Sequence, residues 1–403
     1  MFFWKNKKKG FNFLVAIGSG QNQLPLIHEA KKLGFHIIGV DINSTAPGFL
    51  ECDLKIQESI ENHEDIYLRL TELILDGKIK GIMTKSFGMA IRTVSYLNAF
   101  FKIPYMPVKS SECFLEKKKM KSIIKNAGIQ TPDIIKISSK SGKIANSLLP
   151  VIIKPETGHA KNGVALISTQ DEYRKYISGN SGINLIAEKY VKGDEIIAAG
   201  ITHNKKFYLI EITDKFTTSL PFFVDITHIS PSKHIDKWEQ IQKIGQKVSD
   251  AFEIINSPII IEFIIDENNE INLIEAVPEF GGEFIPEIMI KHSAGYNIFA
   301  ESIKSITAEG FTPPVFKKRK KFIVIKYITG TEGRLVSLNP EAPKRIKQLL
   351  FSRIFKNIGD EIRIPENNHD RIGVVAVSAK TYIEAMAAAD EAVNSYDIQI
   401  RPK

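Results

Sequence analysis

Residues Ser257–Pro278, SPIIIEFIIDENNEINLIEAVP, hold two apolar runs joined by the polar stretch Glu267-Asn268-Asn269-Glu270. Isoleucine-rich runs on either side of a short polar link read as the two strands of an antiparallel hairpin. With Asn268 and Asn269 as a two-residue turn, residues whose numbers sum to 537 lie opposite one another, and Glu262 and Glu275 meet that condition. Two carboxylates roughly 5 Å apart repel, and burial among isoleucines makes their ionisation costlier, so a positive group is expected between them. A hard divalent cation, magnesium or manganese, suits such a pair. The plain alternative is two solvent-facing glutamates on an edge hairpin.

The chain around this hairpin has 403 residues, 43% apolar and 25% charged, enough for two to four packed domains or subdomains. Its two cysteines, Cys52 and Cys113, are far apart and lack metal-site spacing, which argues against a disulfide framework or a zinc centre and fits a reducing cytoplasm. The opening MFFWKNKKKGFNFLVAIGSGQNQ places lysines before an apolar patch too short for a signal or spanning segment, so no membrane partner is expected. The net charge of +8 owes much to three short runs: Lys5 to Lys9, Glu116 to Lys121, and Lys317 to Lys321. They are scattered and lack interleaved aromatics, so they read as solvated faces or contacts to small anions rather than as a nucleic-acid footprint.

From Phe13 the chain alternates strand (FLVAI), glycine turn (Gly18, Gly20), helix (LPLIHEAKKLG), strand (HIIGVD), a helix near Ile66 to Leu75 and a strand (GIMTK). Such alternation predicts a parallel sheet covered by helices. Asp41 follows the glycines at the spacing of a ribose-binding acid, but Gly18-Ser19-Gly20-Gln21-Asn22-Gln23 lacks the third glycine of a dinucleotide fingerprint. Prolines at 104 and 107 end this region near Tyr105 to Ser111. A helix from about Cys113 to Asn126 follows, then strand, loop and strand in LLPVIIKPETGHAKNGVALIST. Strand-rich stretches at Asn184 to Thr213 and Ile259 to Val277 flank a helix at Lys237 to Phe252; the tail adds FIVIKYI, GVVAVSA and a helix at Tyr382 to Asn394.

Lys154 closes an apolar strand and leads into a loop bounded by Gly158 and Gly163, an arrangement able to grip and cover phosphates. In NLIAEKYVKGDEII, Glu188 and Glu195 flank an extended segment, giving acceptors for an adenine amino group and for ribose hydroxyls, with the main chain near Val191 beside the base. Both glutamates read equally as solvent-side residues of a strand pair.

These residues, in this order, resemble the ATP-grasp superfamily of carboxylate-amine ligases over essentially the full chain. The resemblance implies an α/β and α+β protein: a Rossmann-like parallel-sheet domain over residues 1–108, an ATP-grasp module over 109–320, and a C-terminal α+β segment over 321–403. The module divides into a lid subdomain (109–187) and a catalytic subdomain (188–320) that clasp ATP. It further implies Lys117 and Lys154 as phosphate lysines beside Gly158, Glu188 and Val191 at the adenine, Glu195 at the ribose, and Glu262 and Glu275 as magnesium ligands. Lys215 and His228 resemble positions lining the phosphate and acceptor side of the cleft, and amides at Gly281 and Gly282 are placed to stabilise an acyl phosphate, although a GlyGly pair is also an ordinary turn. Small-molecule carboxylate and amine substrates follow as partners, and a homodimer is a family-based expectation.

One departure stands out. Members of the superfamily usually continue from the second metal glutamate as Glu-x-Asn-Pro-Arg, where this chain reads Glu275-Ala276-Val277-Pro278-Glu279. Val277 cannot ligate a cation. Glu279 reverses a charge, repelling phosphate and carboxylate and favouring an ammonium or guanidinium. The first reading is an amino-acid or dipeptide ligase working through an acyl phosphate; the alternatives are a bicarbonate-activating carboxylase or carbamoyl enzyme, a nucleotide-binding relative that has lost catalysis, and, least supported, a NAD oxidoreductase.

Overall fold

The computed structural model describes residues 10–73, 78–137, 143–158 and 161–402. The lysine run at Lys5 to Lys9, the last two residues of the helix expected to reach Leu75, and His159 and Ala160 of the glycine loop lie outside the described residues.

The first sheet is parallel and runs in the order Leu54–Gln57, His36–Asp41, Asn12–Ile17, Lys78–Met83. Five consecutive residues of its central strand, Phe13 to Ile17, are buried, as a strand covered on both faces requires. Helices Leu24–Lys32, His63–Leu73 and Met89–Phe100 follow its strands. A small antiparallel sheet orders Ile134–Ile135, Leu185–Lys189, Val151–Pro155 and Ala165–Ile167. Helix Gln170–Gly179 covers it with Tyr173 and Ile177 and starts at a capping box between Thr169 and Glu172.

The third sheet has eight antiparallel strands, in the order Ile271–Val277, Ser257–Asp266, Gly193–His203, Lys206–Thr217, Asp225–Ser230, Phe322–Ile328, Gly373–Ala379, Leu349–Ile354. It therefore runs unbroken from the hairpin into the C-terminal segment. Helix Trp238–Ala251 approaches closely where Phe207 fills the gap between Gly200 and Gly245; a Cβ on Gly245 would sit 2.1 Å from that ring. Helix Ile298–Thr307 is buried nearly all round and joins the cores of the parallel and eight-stranded sheets, so the end of strand Lys78–Met83 is held beside the large sheet.

Two local expectations need correction. The hairpin turn is three residues, Glu267 to Asn269, closed by Asp266 N–H donating to the Glu270 carbonyl (3.0 Å), with Asn269 left-handed at φ 65°. That loop alone would shift the pairing by one residue. A β-bulge restores it: Phe263 pairs with Leu273 but Glu262 with Glu275, leaving Ile274 extra. The opposition of the two glutamates thus rests on a longer turn and a bulge together. Second, the helix expected at 113–126 is two, Val108–Leu115 and Lys117–Asn126, broken at Glu116 in an extended conformation (φ −118°, ψ 104°). At the break, the Lys117 N–H leaves the helical ladder and donates to the Glu156 carbonyl of the small sheet at 3.2 Å.

Candidate active site

A cavity of about 900 Å³ opens between the small sheet and the large one, and the loop after strand Lys78–Met83 and the C-terminal strands complete its walls. Lys117, Lys154, Gly158, Glu188, Val191, Glu195, Glu262, Glu275, Glu279, Gly281 and Gly282 all line it. Eleven residues drawn from a span of 165 positions thus meet in one place.

The cavity's lysines and glutamates form two clusters. In the first, Glu188 points inward from strand Leu185–Lys189 and is nearly fully buried, with Lys154 Nζ at 2.9 Å and Lys121 Nζ at 3.2 Å. Burial alone would raise the Glu188 carboxyl, but the two ammoniums outweigh it and hold it low, while burial pushes Lys121 down to about 8. Lys121 was not expected; it lies four residues after Lys117 and so on the same helix face.

In the second cluster, Lys215 is the hub. Its Nζ lies 2.7 Å from Glu262 Oε2, 3.0 Å from Glu195 Oε2 and 3.5 Å from Asp225 Oδ1, with 1% of the side chain exposed. Burial opposes its charge, yet Asp225, Glu195 and Glu262 together hold it well above the usual lysine range. Lys161 Nζ lies 3.5 Å from the same Glu262 oxygen. Burial would raise Glu262, and Lys161 and Lys215 hold it well below the usual carboxylate range. Lys117 bridges the cleft, donating to the Gly158 carbonyl at 2.9 Å with Glu275 Oε1 at 4.0 Å; burial lowers its ammonium. The positive charge expected at the glutamate pair is supplied here by lysines.

Those two oxygen-donor side chains, directly opposed, suit magnesium, which takes one or two carboxylates from a protein and completes its shell with phosphate and water. Among the described residues no cluster of three or more histidine, cysteine or acidic side chains has the form of a self-sufficient metal site.

Lys215 and His228 stand opposite one another on the face of the large sheet that carries Glu195 and Glu262. Neither lines the cavity. Lys215 stands on the cavity face of the large sheet, directly opposite Glu195, and its ammonium is covered by Glu195, Asp225 and Glu262, whose carboxylates line the cavity. His228 is fully buried, its Nε2 3.8 Å from Glu283 Oε2 and both ring nitrogens without a hydrogen bond among the described residues. What fronts the cavity there is a group the sequence did not single out. Arg371 grips Glu283 with two bonds (2.5 and 3.1 Å) and stacks 3.7 Å from the centre of the Tyr327 ring.

The loop before that pair is unusual. Gly281, Glu283 and Phe284 all have positive φ (84°, 60° and 57°), and a Cβ on Gly281 would meet Ile260 at 2.8 Å. Two adjacent left-handed non-glycine residues cost of order 1–3 kcal/mol each, a strain the Arg371–Glu283 bond offsets. Among the described residues neither the Gly281 nor the Gly282 amide donates a main-chain hydrogen bond, and the Val191 N–H donates none and its carbonyl accepts none. Nearby, Lys85 from the parallel-sheet domain reaches in to pair with Glu287 at 2.6 Å. Glu279 is half-buried beside it, its carboxyl pushed up to about 7 by burial and by Glu275 and Glu262, against the pull of Lys85.

Asp41 has other work. Its carboxylate accepts from Ser19 N–H (2.8 Å) and Asn43 N–H (2.9 Å), fixing the glycine turn rather than facing a ribose. Among the lysine-rich runs, Arg319 is buried against Glu211 at 3.1 Å instead of forming a solvated face. Among the described residues no helix is long and apolar enough to cross a membrane.

Comparison with known proteins places this geometry. Residues 147–287 match the family model of the ATP-grasp domain, and residues 326–401 that of L-amino acid ligase C-terminal domain 2. D-alanine--D-alanine ligase A of Bacillus cereus is 27% identical over 118 residues, 27% of this chain and 39% of that protein. The match thus spans about two fifths of the length of the curated relatives. The crystal structure of an L-amino acid ligase from Bacillus licheniformis superposes with a TM-score of 0.78 at 19% identity, covering 98% of this chain and 100% of that one. Phosphoribosylglycinamide synthetase from Anaerococcus prevotii gives 0.73 at 21%, with 98% and 100% covered. These two likenesses are of fold. The chain thus carries an ATP-grasp domain at its centre, followed by a C-terminal domain of the L-amino acid ligase type.

Proposed function

We propose that the cavity binds ATP and that the chain joins a carboxylate to an amine, probing both from the side walled by residues 279–287. A substrate carboxylate oxygen attacks the γ-phosphorus, ADP leaves, and the amine then attacks the acyl carbon while phosphate departs, leaving an amide. No protein nucleophile is needed; the work is positional and electrostatic.

The residues divide it as follows. Lys117 and Lys154 bind phosphate oxygens, and Lys161 closes over them from the glycine loop. Glu188 and the main chain of Val191 orient the adenine, and Glu195 the ribose. Glu262 and Glu275 hold magnesium, which supplies charge neutralisation at the phosphates. Lys215, beneath the carboxylates that line the cavity, fixes Glu195 and Glu262 in place. The unpaired amides of Gly281 and Gly282 face the acyl oxygen. One observation carries the reading: the opposed Glu262 and Glu275 share a single cavity with Lys117, Lys154 and Lys161.

ADP release measured across a panel of amino acids, with and without bicarbonate, tests it. Amine-dependent release is expected. Release that needs bicarbonate instead would make the chain a carboxylase, and saturable ATP binding without turnover would make it a non-catalytic relative, the outcome that Val277 in place of a metal-ligating residue would explain.

A further inference from the structure

The cavity walls around residues 279–287 carry the charged side chains Lys85, Glu279, Glu283, Glu287, Arg353 and Arg371, with Asp225 joined to Glu283 through Asn368. Four pair among themselves, Lys85 with Glu287 and Arg371 with Glu283. Arg353 rests its guanidinium over the rings of Phe351 and Phe284, 5.7 and 5.9 Å from their centres. Glu279 has neither ion pair nor side-chain hydrogen bond among the described residues, although it is half-buried.

We propose that Glu279 is the receptor for a permanently cationic group, an ammonium or guanidinium, on the co-substrate, so that the chain acts on basic amino acids or small metabolites of like charge. This rests on the ligase reading and deepens it. A partly buried carboxylate without a partner is costly, and a ligand cation offsets that cost. Glu262 and Glu275 add negative potential at Glu279, and Lys85, whose charge opposes it, is already held by Glu287. A cation gripped by a carboxylate keeps its proton, so it is not the attacking amine but a second group. Arg353 leaves an opposite charge for the same ligand's carboxylate. The raised carboxyl of Glu279 agrees, since pairing with a cation is what would bring it back down.

Calorimetric titration in the presence of magnesium and a non-hydrolysable ATP analogue tests this, with L-lysine, L-ornithine and L-arginine set against the neutral L-norleucine, L-norvaline and L-citrulline. The wild type is expected to prefer each cationic member by about tenfold or more, the scale of one charge-assisted hydrogen bond. Glu279→Gln should bring that ratio to within about threefold without changing nucleotide affinity, and Glu279→Arg should invert it. Lys85→Met should raise it, an opposite sign that a general loosening of the fold would not produce; this variant decides the matter if those at 279 do not fold. Binding of none of the cationic three, a preference for the neutral set, or a ratio that survives Glu279→Gln would overturn the proposal. ADP release on the same panel separates the two readings. Selective binding with no release leaves the receptor standing and removes the ligase, whereas release with all amines alike removes the receptor alone.

Discussion

Glu262 and Glu275 face each other across one rung of a hairpin, yet only Glu262 touches the buried Lys215, at 2.7 Å. The two carboxylates are therefore alike in position and unlike in structural duty. Glu262→Gln and Glu275→Gln are each expected to lower ADP release at least a hundredfold, because both remove a charge at the phosphates. Stability should separate them. Glu262→Gln weakens the compensation of a buried ammonium and should cost about 1–3 kcal/mol in urea denaturation, while Glu275→Gln should stay within about 1 kcal/mol of wild type.

Glu188→Ala should raise the ATP concentration needed for half-maximal turnover about tenfold. It should also destabilise the protein by about 2–4 kcal/mol, since it strands Lys121 and Lys154 with no anion between them. Equal ATP dependence in variant and wild type would remove Glu188 from the nucleotide site.

Glu279 gives a pH dependence with a definite sign. Its carboxyl titrates near 7 in the folded chain and lower when unfolded, so the folded state holds the proton more tightly. Its contribution is complete below the unfolded value of about 4.3 and is lost as the pH rises through about 7. Glu279→Gln should thus be more stable than wild type by about 1–2 kcal/mol at pH 8.5 and no different near pH 4, as read by denaturation at the two pH values.

Arg371→Lys should cost about 2–3 kcal/mol despite keeping the charge. A lysine can neither reproduce the two bonds to Glu283 nor stack on Tyr327, and the left-handed pair Glu283-Phe284 loses its anchor. Thermal unfolding of the variant measures the loss.

Much of this was legible in the sequence because it is local. The alternation from Phe13 to Lys85 dictates a parallel sheet, and Glu188, Glu195, Glu262 and Glu275 each sit in a strand that periodicity reveals. The turn was misread because Asn268-Asn269 is an acceptable two-residue turn, and a bulge at Ile274, with no glycine or proline beside it, leaves no sequence mark. The helix break at Glu116 was hidden for a related reason: it is made by a long-range bond from Lys117 to Glu156, not by a glycine or proline. Lys85 and Glu287 are 202 positions apart, and Arg371 and Glu283 are 88, so only the fold could bring them together. Lys215 and His228 do stand on the cavity face of the large sheet, but three carboxylates cover Lys215 and His228 is fully buried, and which side chains lie over a strand residue is a long-range matter that the sequence does not carry.

The most direct test is a crystal structure with manganese and a non-hydrolysable ATP analogue, read by the anomalous signal of the metal. The account expects a peak about 2.1 Å from oxygens of both Glu262 and Glu275, with Lys117 and Lys154 turned to the phosphates. Nucleotide bound with no peak between those carboxylates, and Glu262 and Glu275 still facing only lysine, would contradict it.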